Sequence, residues 1–217
     1  GVKVKICCIA SVEEARLAID AGAAALGLVS AMPSGPGPID EALIAAIAAA
    51  VPPPIETFLL TSLQRAEAII RQFRRCGTSV LQLVDAVADE DLKQLRAALP
   101  RVKLVQVIHV SGPGAVDEAL AAAPLVDALL LDSGNPALAI KQLGGTGRTH
   151  DWTHSRAIVD QVRVPVWLAG GLNVGNVAAA IDAVQPHGID LCSSVRSDGR
   201  LDAGKLAAFM AAVSSAQ

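Results

Sequence analysis

The sequence predicts a single-domain α/β fold, a (β/α)8 TIM barrel spanning residues 1–217. Short β-branched segments alternate with Ala-rich helical segments, and eight of each occur in strict order. Strict alternation favours a parallel sheet with right-handed crossovers. The length lies near the lower end of the range for a closed barrel. An open doubly wound sheet is the alternative, but no G-x-G-x-x-G follows the first strand, as a Rossmann fold would require.

The predicted elements follow one another along the chain without a linker or a low-complexity tract. The strands are Val2–Cys8, Ala25–Val29, Ile55–Leu60, Ser79–Leu83, Lys103–Val107, Ala128–Leu131, Val166–Ala169 and Ile189–Cys192. The helices lie near residues 12–22, 39–50, 62–75, 89–98, 114–122, 151–161, 174–184 and 202–214. Ser11, with Glu14 three residues later, predicts a capping box at the first helix. Asp40, Ser62 and Asp89 are expected to be the N-caps of the next three helices.

Composition excludes several classes of function. About half of the residues are apolar (52%) and 18% are charged, which argues against disorder. A net charge of −3, scattered basic residues and few aromatic residues argue against a nucleic-acid surface. No apolar run is long enough for a membrane span, and the first residues do not resemble a signal peptide. The four cysteines lack metal-site spacing. We therefore expect reduced thiols, no metal and a cytoplasmic protein.

Two glycine-rich segments follow the predicted strands six and seven. In this fold the ligand site forms at the C-terminal ends of the strands, and phosphate is often held after the last two strands. Glycine lets the backbone approach an anion closely, and successive N–H groups point at its oxygens. Hydroxyl groups after strand eight supply further donors. The expected phosphate-binding residues are Gly145, Thr146, Gly147, Gly170, Gly171, Ser193 and Ser194.

Two ionisable residues end strands at positions that can face the pocket. Asp132 closes an apolar strand, and burial disfavours the charged form of a carboxyl group, so a proton-donor role is favoured. Cys7 closes strand one, where a stabilised thiolate would accept a proton. The structural alternatives are a small buried hydrophobe for Cys7 and an N-cap or surface carboxylate for Asp132. Further polar residues lie near strand ends without a ranking, namely Glu56, Gln82, Asp85 and His109.

Four motifs, in order and across nearly the whole chain, resemble the phosphoribosylanthranilate isomerase family, a barrel enzyme of tryptophan biosynthesis. Residues 5–9 read K-I-C-C-I, similar to the family's K-I-C-G-I, and residues 127–133 read D-A-L-L-L-D-S, similar to D-A-(L/I)-L-L-D-(T/S). Residues 144–152 read G-G-T-G-R-T-H-D-W, similar to G-G-T-G-x-T-F-D-W. Residues 168–177 read L-A-G-G-L-N-V-G-N-V, similar to L-A-G-G-L-x-x-x-N-V.

The resemblance implies an Amadori rearrangement, in which an aminoaldose becomes an aminoketose. Asp132 would be the general acid that protonates the ring oxygen, and Cys7 the general base that removes the proton from C2′. The glycine and serine loops named above would hold the phosphate. The resemblance implies no cofactor and no metal. The expected partner is a small phosphorylated substrate rather than a nucleic acid or a membrane, and the expected state is a monomer or a homodimer.

The sequence departs from the family's pattern on the side of the aglycone. Cys8 stands where the family has glycine, and residues 32–39 contain no basic residue where the family carries S-P-R. That arginine pairs with the anthranilate carboxylate, an interaction of about 1.5–3 kcal/mol. Its loss is expected to weaken binding by roughly tenfold to a hundredfold. Arg148 and Arg196 are the candidate replacements from other loops, and Gln82 is a further candidate for substrate binding.

Three hypotheses follow from the residues and the resemblance. The first is an isomerase of phosphoribosylanthranilate with an altered carboxylate anchor. The second is a paralogue that acts on a different phosphorylated sugar amine. The third is a barrel that binds a phosphorylated metabolite without converting it. Retention of Cys7 and Asp132 argues against the third hypothesis, and the missing arginine argues against the first.

Overall fold

The eight main strands close into a parallel barrel, in a computed structural model that describes residues 1–133 and 152–217. Each strand pairs with the next in chain order, and the first strand pairs with the eighth. The predicted closed barrel is therefore confirmed and the open sheet is wrong. The strands are β1 (Lys3–Ile6), β2 (Ala25–Val29), β3 (Glu56–Thr61), β4 (Val80–Leu83), β5 (Lys103–His109), β6 (Ala128–Asp132), β7 (Val166–Ala169) and β8 (Gly188–Leu191).

Helices follow the strands as predicted. They are α1 (Val12–Asp20), α2 (Glu41–Ala50), α3 (Ala66–Cys76), α4 (Asp89–Ala98), α5 (Gly114–Ala122), α6 (Thr153–Gln161), α7 (Val177–Val184) and α8 (Ala203–Ser215). Short 3-10 turns lie at Ala123–Leu125 and Ser193–Val195. None of the helices in residues 1–133 and 152–217 has the length and apolar character needed to cross a membrane.

The helix N-caps agree with the sequence only in part. Ser11 caps α1 as predicted, because its Oγ accepts a hydrogen bond of 3.0 Å from the Glu14 N–H. Asp40 occupies the N-cap position of α2 without a side-chain hydrogen bond. The predictions for Ser62 and Asp89 are wrong. Helix α3 begins four residues after Ser62, where Asp91 of α4 accepts from the first helical N–H, and Asp89 is already inside α4.

Side chains alternate between two hydrophobic layers along each strand, as the pleat requires. In β3, Phe58 and Leu60 lie in the cluster inside the barrel, whereas Leu59 packs outward against the helices. The inner cluster comprises Cys7, Cys8, Ala25, Val29, Phe58, Leu60, Val80, Val105, Val107, Ala128, Leu130 and Trp167. Because of this alternation, polar residues at the strand ends point toward the barrel axis. The candidate site therefore lies at the end of the barrel interior.

A short antiparallel hairpin follows β8 and was not predicted. It consists of β9 (Arg196–Ser197) and β10 (Arg200–Leu201). The turn between them, Asp198-Gly199, has φ values of 52° and 77°, which suit a primed hairpin turn. The Asp-Gly pair was the sequence signal for it. This hairpin brings Arg196 back across the mouth of the barrel.

Candidate active site

A cavity of about 390 Å³ opens at the C-terminal ends of the strands, within the size range of small-molecule sites. It is lined by Cys7, Leu60, Gln82, Val84, Val107, His109, Leu130, Asp132, Ala169, Gly170, Gly171, Leu172, Asp190, Leu191, Cys192 and Ser193. Both predicted catalytic residues are thus on one cavity, together with both glycines of the loop after β7. Neither Lys nor Arg is among the lining residues in the described part of the chain.

Cys7 lies immediately after β1, and its backbone N–H donates a 2.9 Å hydrogen bond to the Leu191 carbonyl of β8. Its thiol fits into a space that Gly27 leaves open, because a Cβ at Gly27 would lie 2.6 Å from Sγ. The pKa of the Cys7 thiol lies below its usual range. A hydrogen bond from Cys8 and the nearby Lys5 ammonium stabilise the thiolate, and together they outweigh burial.

Cys8 adopts a left-handed backbone conformation, with φ 61°, which ends β1 two residues before its predicted end. Glycine takes this conformation without strain, and an L side chain rarely does. The Cys8 thiol donates a 3.7 Å hydrogen bond to the Pro36 carbonyl. A Cβ at Gly37 would lie 2.7 Å from the Cys8 Sγ. The segment that lacks the expected arginine therefore packs directly on Cys8.

Arg196 does not line the cavity, and its placement is a correction to the expected contact with substrate. Its guanidinium donates hydrogen bonds of 3.0 and 2.7 Å to the carbonyl oxygens of Cys7 and Cys8. It also contacts the Glu14 carboxylate at 3.2 Å, and its side chain is only 8% exposed. Glu14 in turn accepts hydrogen bonds from the N–H groups of Ala10 and Leu201. Arg196 thus fixes the backbone that carries Cys7.

A buried ion pair lies inside the barrel, beneath the cavity. Lys5 Nζ is 3.1 Å from Asp190 Oδ1 and 5.0 Å from the centre of the Phe58 ring, and the Lys5 side chain is fully buried. Burial raises the pKa of Asp190, whereas Lys5 opposes that shift. This pair was not predicted from the sequence. The available signal was that Lys5 and Asp190 occupy positions in their strands that share a face with Cys7 and Cys192.

Asp132 ends β6 and is paired with His109 at the end of β5. His109 Nδ1 lies 3.6 Å from Asp132 Oδ2, a distance that allows an ion pair but is too long for a hydrogen bond. The other ring nitrogen, Nε2, lies 3.2 Å from the Val84 carbonyl. A carbonyl only accepts hydrogen bonds, so Nε2 is the donor in this contact, and Nδ1 faces the carboxyl group.

The loop after β7 contains two of the residues that the sequence predicted for phosphate binding, Gly170 and Gly171. Gly170 and Gly171 have positive φ values of 109° and 67°, a region that glycine adopts without strain. The Asn176 amide donates a 2.9 Å hydrogen bond to the Gly171 carbonyl, and its Oδ1 accepts from the Asn173 N–H at 2.8 Å. These contacts fix the conformation of the loop, whose Gly170 and Gly171 line the cavity.

The remaining predicted residues have different placements. Ser193 lines the cavity, whereas Ser194 does not, and the buried Ser194 Oγ has no hydrogen-bond partner within the described ranges. Gln82 lines the cavity, and its buried Oε1 also has no partner among the described residues. The remaining expected residues, Gly145, Thr146, Gly147 and Arg148, lie outside the described residues. In residues 1–133 and 152–217, no group of three His, Cys, Asp or Glu side chains is arranged to hold a metal.

Comparison with known proteins identifies relatives over almost the whole chain. The family model for N-(5'phosphoribosyl)anthranilate (PRA) isomerase matches residues 4–212. The chain is 36% identical to N-(5'-phosphoribosyl)anthranilate isomerase 2 of Methanosarcina mazei, covering 96% of this chain and 92% of the relative. It is also 36% identical to the corresponding isomerase of Halorubrum lacusprofundi, covering 96% of this chain and 95% of the relative.

Solved structures of the same name share the fold. The phosphoribosyl anthranilate isomerase of Thermotoga maritima superposes with a TM-score of 0.84 and 27% identity, over 99% of this chain and 100% of the other. A second structure, a complex with reduced 1-(o-carboxyphenylamino)-1-deoxyribulose 5-phosphate, has a TM-score of 0.82 and 25% identity over 99% and 100% of the two chains.

Proposed function

Because this chain belongs to the N-(5'-phosphoribosyl)anthranilate isomerase family, we propose that it converts N-(5'-phosphoribosyl)anthranilate into 1-(o-carboxyphenylamino)-1-deoxyribulose 5-phosphate. It is then an aldose–ketose isomerase of tryptophan biosynthesis. The observation that carries the proposal is the cavity shared by Cys7, Asp132 and the glycines after β7. The site therefore offers a base, an acid and a phosphate loop to one small ligand.

Asp132 is the general acid of the proposed reaction. Its carboxylic acid gives a proton to the ribose ring oxygen as the bond from that oxygen to C1′ breaks. The nitrogen lone pair forms the C=N bond of an iminium ion, so no electrons leave the substrate. An exposed position beside His109 lets the carboxyl group regain its proton from solvent between turnovers.

Cys7 is the general base. Its thiolate removes the proton from C2′, and the electrons of the C–H bond form a C1′=C2′ double bond while the iminium nitrogen becomes neutral. The enolamine then becomes the ketone as C1′ gains a proton and the 2′-hydroxyl loses one. The lowered pKa of Cys7 supports this role, because more of the thiol is present as thiolate at neutral pH.

The phosphate is proposed to bind at the rim formed by Gly170, Gly171 and Ser193, with Ser194 nearby. Two successive glycines with positive φ let backbone N–H groups converge on an anion. The other predicted phosphate segment, residues 145–147, remains a prediction. The buried Gln82 amide faces the same cavity and is proposed to contact the substrate, since an unpaired buried polar group costs about 1–3 kcal/mol without a ligand.

A fluorescence assay that follows the loss of phosphoribosylanthranilate tests the proposal. Wild-type protein should turn it over, and Cys7→Ala and Asp132→Asn should each reduce the rate by at least a hundredfold. Cys76→Ala on α3 and Asp160→Asn on α6 are matched controls away from the cavity. No turnover by folded wild type, or turnover that survives both cavity substitutions, would overturn the proposal.

Three expectations remain predictions beside this proposal, namely one domain over residues 1–217, a cytoplasmic location, and a monomer or homodimer. Sedimentation of the purified chain measures the last of these directly.

A further inference from the structure

Three of the four cysteines meet at the mouth of the barrel, and we call Cys7, Cys8 and Cys192 the thiol cluster. Cys7 and Cys8 belong to the inner hydrophobic cluster, and Cys192 packs against it. The Cys8 thiol lies within interaction range of the side chains of both Cys7 and Cys192. Parallel pairing explains the proximity. Ile6 and Leu191 are partners in β1 and β8, so Cys7 and Cys192, which follow them, emerge side by side, and Cys8 is the next residue of the first segment.

Cys192 is the most reactive thiol of the cluster by its surroundings. It lines the cavity and is only half-buried, so a small solute can reach its sulfur. The Arg196 guanidinium and the Cys8 thiol both stabilise its thiolate. These contacts lower the pKa of Cys192 to about 7, with the Cys8 hydrogen bond as the larger cause. Partly exposed thiolates beside a cation are the cysteines that oxidants attack first.

Cys8 is placed to react with an oxidised Cys192. Its pKa is raised, mainly because the hydrogen bonds to Cys192 and Cys7 require it to keep its proton. Oxidation converts the Cys192 thiolate into a neutral sulfenic acid. The Cys8 thiol then no longer faces this negative charge, so it loses its proton more easily. The carbonyl groups of Cys7 and Cys8 are held by Arg196, so the segment that presents Cys8 is fixed beside Cys192.

We propose that Cys192 is a hydroperoxide-sensitive thiol and that Cys8 converts its oxidised form into a disulfide. The Cys192 sulfur attacks the peroxide, an S–O bond forms, the O–O bond breaks and one molecule of water leaves. The Cys8 sulfur then attacks Cys192, an S–S bond forms, and the S–O bond breaks. The hydroxide leaves as a second water with the Cys8 proton. Two thiols are oxidised by two electrons, and one hydroperoxide is reduced.

The disulfide would change the environment of Cys7. Cys8 loses the proton with which it hydrogen-bonds Cys7, so the Cys7 thiolate loses its largest stabilising contact. The cross-link also ties the end of β1 to the end of β8, across the cavity wall. The expected result is a reversible loss of turnover, and this consequence alone rests on the proposed function.

Peptide mapping of oxidised protein tests the inference without any measurement of turnover. Wild-type protein, treated with stoichiometric hydrogen peroxide and then denatured, should fall from four titratable thiols to two, and dithiothreitol should restore all four. Trypsin should release peptide 6–16 linked to peptide 164–196, and fragmentation between Cys7 and Cys8 should place the bond on Cys8. A bond on Cys7, or four retained thiols, would overturn the proposal.

Two variants and a control sharpen the test. Cys8→Gly, which suits the positive φ at that position, should leave a sulfenic acid on Cys192 that dimedone traps. Cys192→Ser should keep all three remaining thiols under the same treatment. Cys76→Ala should still form the disulfide, because Cys76 lies buried in α3. If peroxide inactivates Cys192→Ser as fast as the wild type, the reactive thiol is Cys7 and the inference fails.

Discussion

The Arg196 guanidinium lies 3.2 Å from the Glu14 carboxylate, although 182 residues separate the two along the chain. Arg196 belongs to the hairpin after β8, and Glu14 belongs to the first turn of α1. The same guanidinium holds the carbonyl oxygens of Cys7 and Cys8. The last part of the chain therefore fixes the backbone of the proposed base on the first strand.

Arg196→Ala should lower the free energy of unfolding by about 3 kcal/mol, because it leaves a largely buried carboxylate without its counter-charge. Urea unfolding at pH 7 measures this change. Arg156→Ala, which removes an exposed pair with Asp160 on α6, is the matched control and should cost about 0.5 kcal/mol or less. A double-mutant cycle with Glu14→Gln measures the coupling free energy between the two side chains. A value near zero would show that Arg196 and Glu14 do not stabilise each other.

Gly27→Ala should impair both stability and turnover. A Cβ at this position would lie 2.6 Å from Cys7 Sγ and 3.0 Å from Cys7 Cα, so the thiol and its backbone must move. Overpacking of this kind costs about 1–3 kcal/mol. Gly112→Ala meets no atom within 4 Å and should change the melting temperature little. Wild-type turnover in Gly27→Ala would contradict the placement of Cys7.

Lys5→Met should destabilise the protein by about 3–5 kcal/mol at pH 7, since it leaves Asp190 ionised and buried without a partner. This loss of unfolding free energy should become smaller as the pH falls toward about 4. Asp190 has a raised pKa in the folded chain, so the folded state binds more protons than the unfolded state, and stability falls as pH rises. Urea unfolding at several pH values gives the slope.

The control for this prediction is Lys103→Met. Lys103 forms an exposed ion pair with Glu56, and its loss should cost about 1 kcal/mol or less at any pH. Equal losses of unfolding free energy in the two variants would show that the interior ion pair stabilises the fold no more than a surface ion pair does.

Alkylation of Cys192 by iodoacetamide should increase with pH around a midpoint near 7, the pKa set by its contacts with Cys8 and Arg196. In Cys8→Gly the midpoint should move up toward the ordinary thiol value of about 8.5. Cys76, whose pKa burial raises to about 11, is the internal control and should label only after unfolding. An unchanged midpoint in Cys8→Gly would rule out its hydrogen bond as the cause.

His109→Gln should lower turnover by no more than about fivefold and leave KM nearly unchanged. The His109 side chain is 64% exposed, and an exposed ion pair contributes about 1 kcal/mol or less. Steady-state kinetics measures both constants, with His154→Gln on α6 as the control. A loss of a hundredfold would instead make His109 a proton carrier in the reaction itself.

The order and type of the elements could be predicted because the pattern of apolar residues differs between strands and helices. Alternate side chains of a strand point to the same side of the sheet. This alternation explains why Cys7, Gln82 and Asp132 all line the cavity, since each lies on the inward face of its strand. The end of β1 could not be predicted, because the positive φ of Cys8 is set by contacts with Pro36 and Arg196. Local propensity favours extending that strand.

Arg196 shows why the rest of the site escaped prediction. A basic residue at the mouth of a barrel is expected to face an anionic substrate. Its actual partners include Glu14 and the carbonyl groups of Cys7 and Cys8, which only the closure of the barrel brings near. The pair of Lys5 and Asp190 has the same origin, because β1 and β8 meet only in the closed barrel.

The buried pair also constrains how the chain is synthesised. Lys5 leaves the ribosome 185 residues before Asp190. Until β8 emerges, packing β1 into a half-barrel would bury an ammonium group without a counter-charge, which costs several kcal/mol. A partial barrel that lacks β8 therefore leaves Lys5 without its counter-charge, and the proposed catalytic thiol acquires its surroundings only after β8 has emerged.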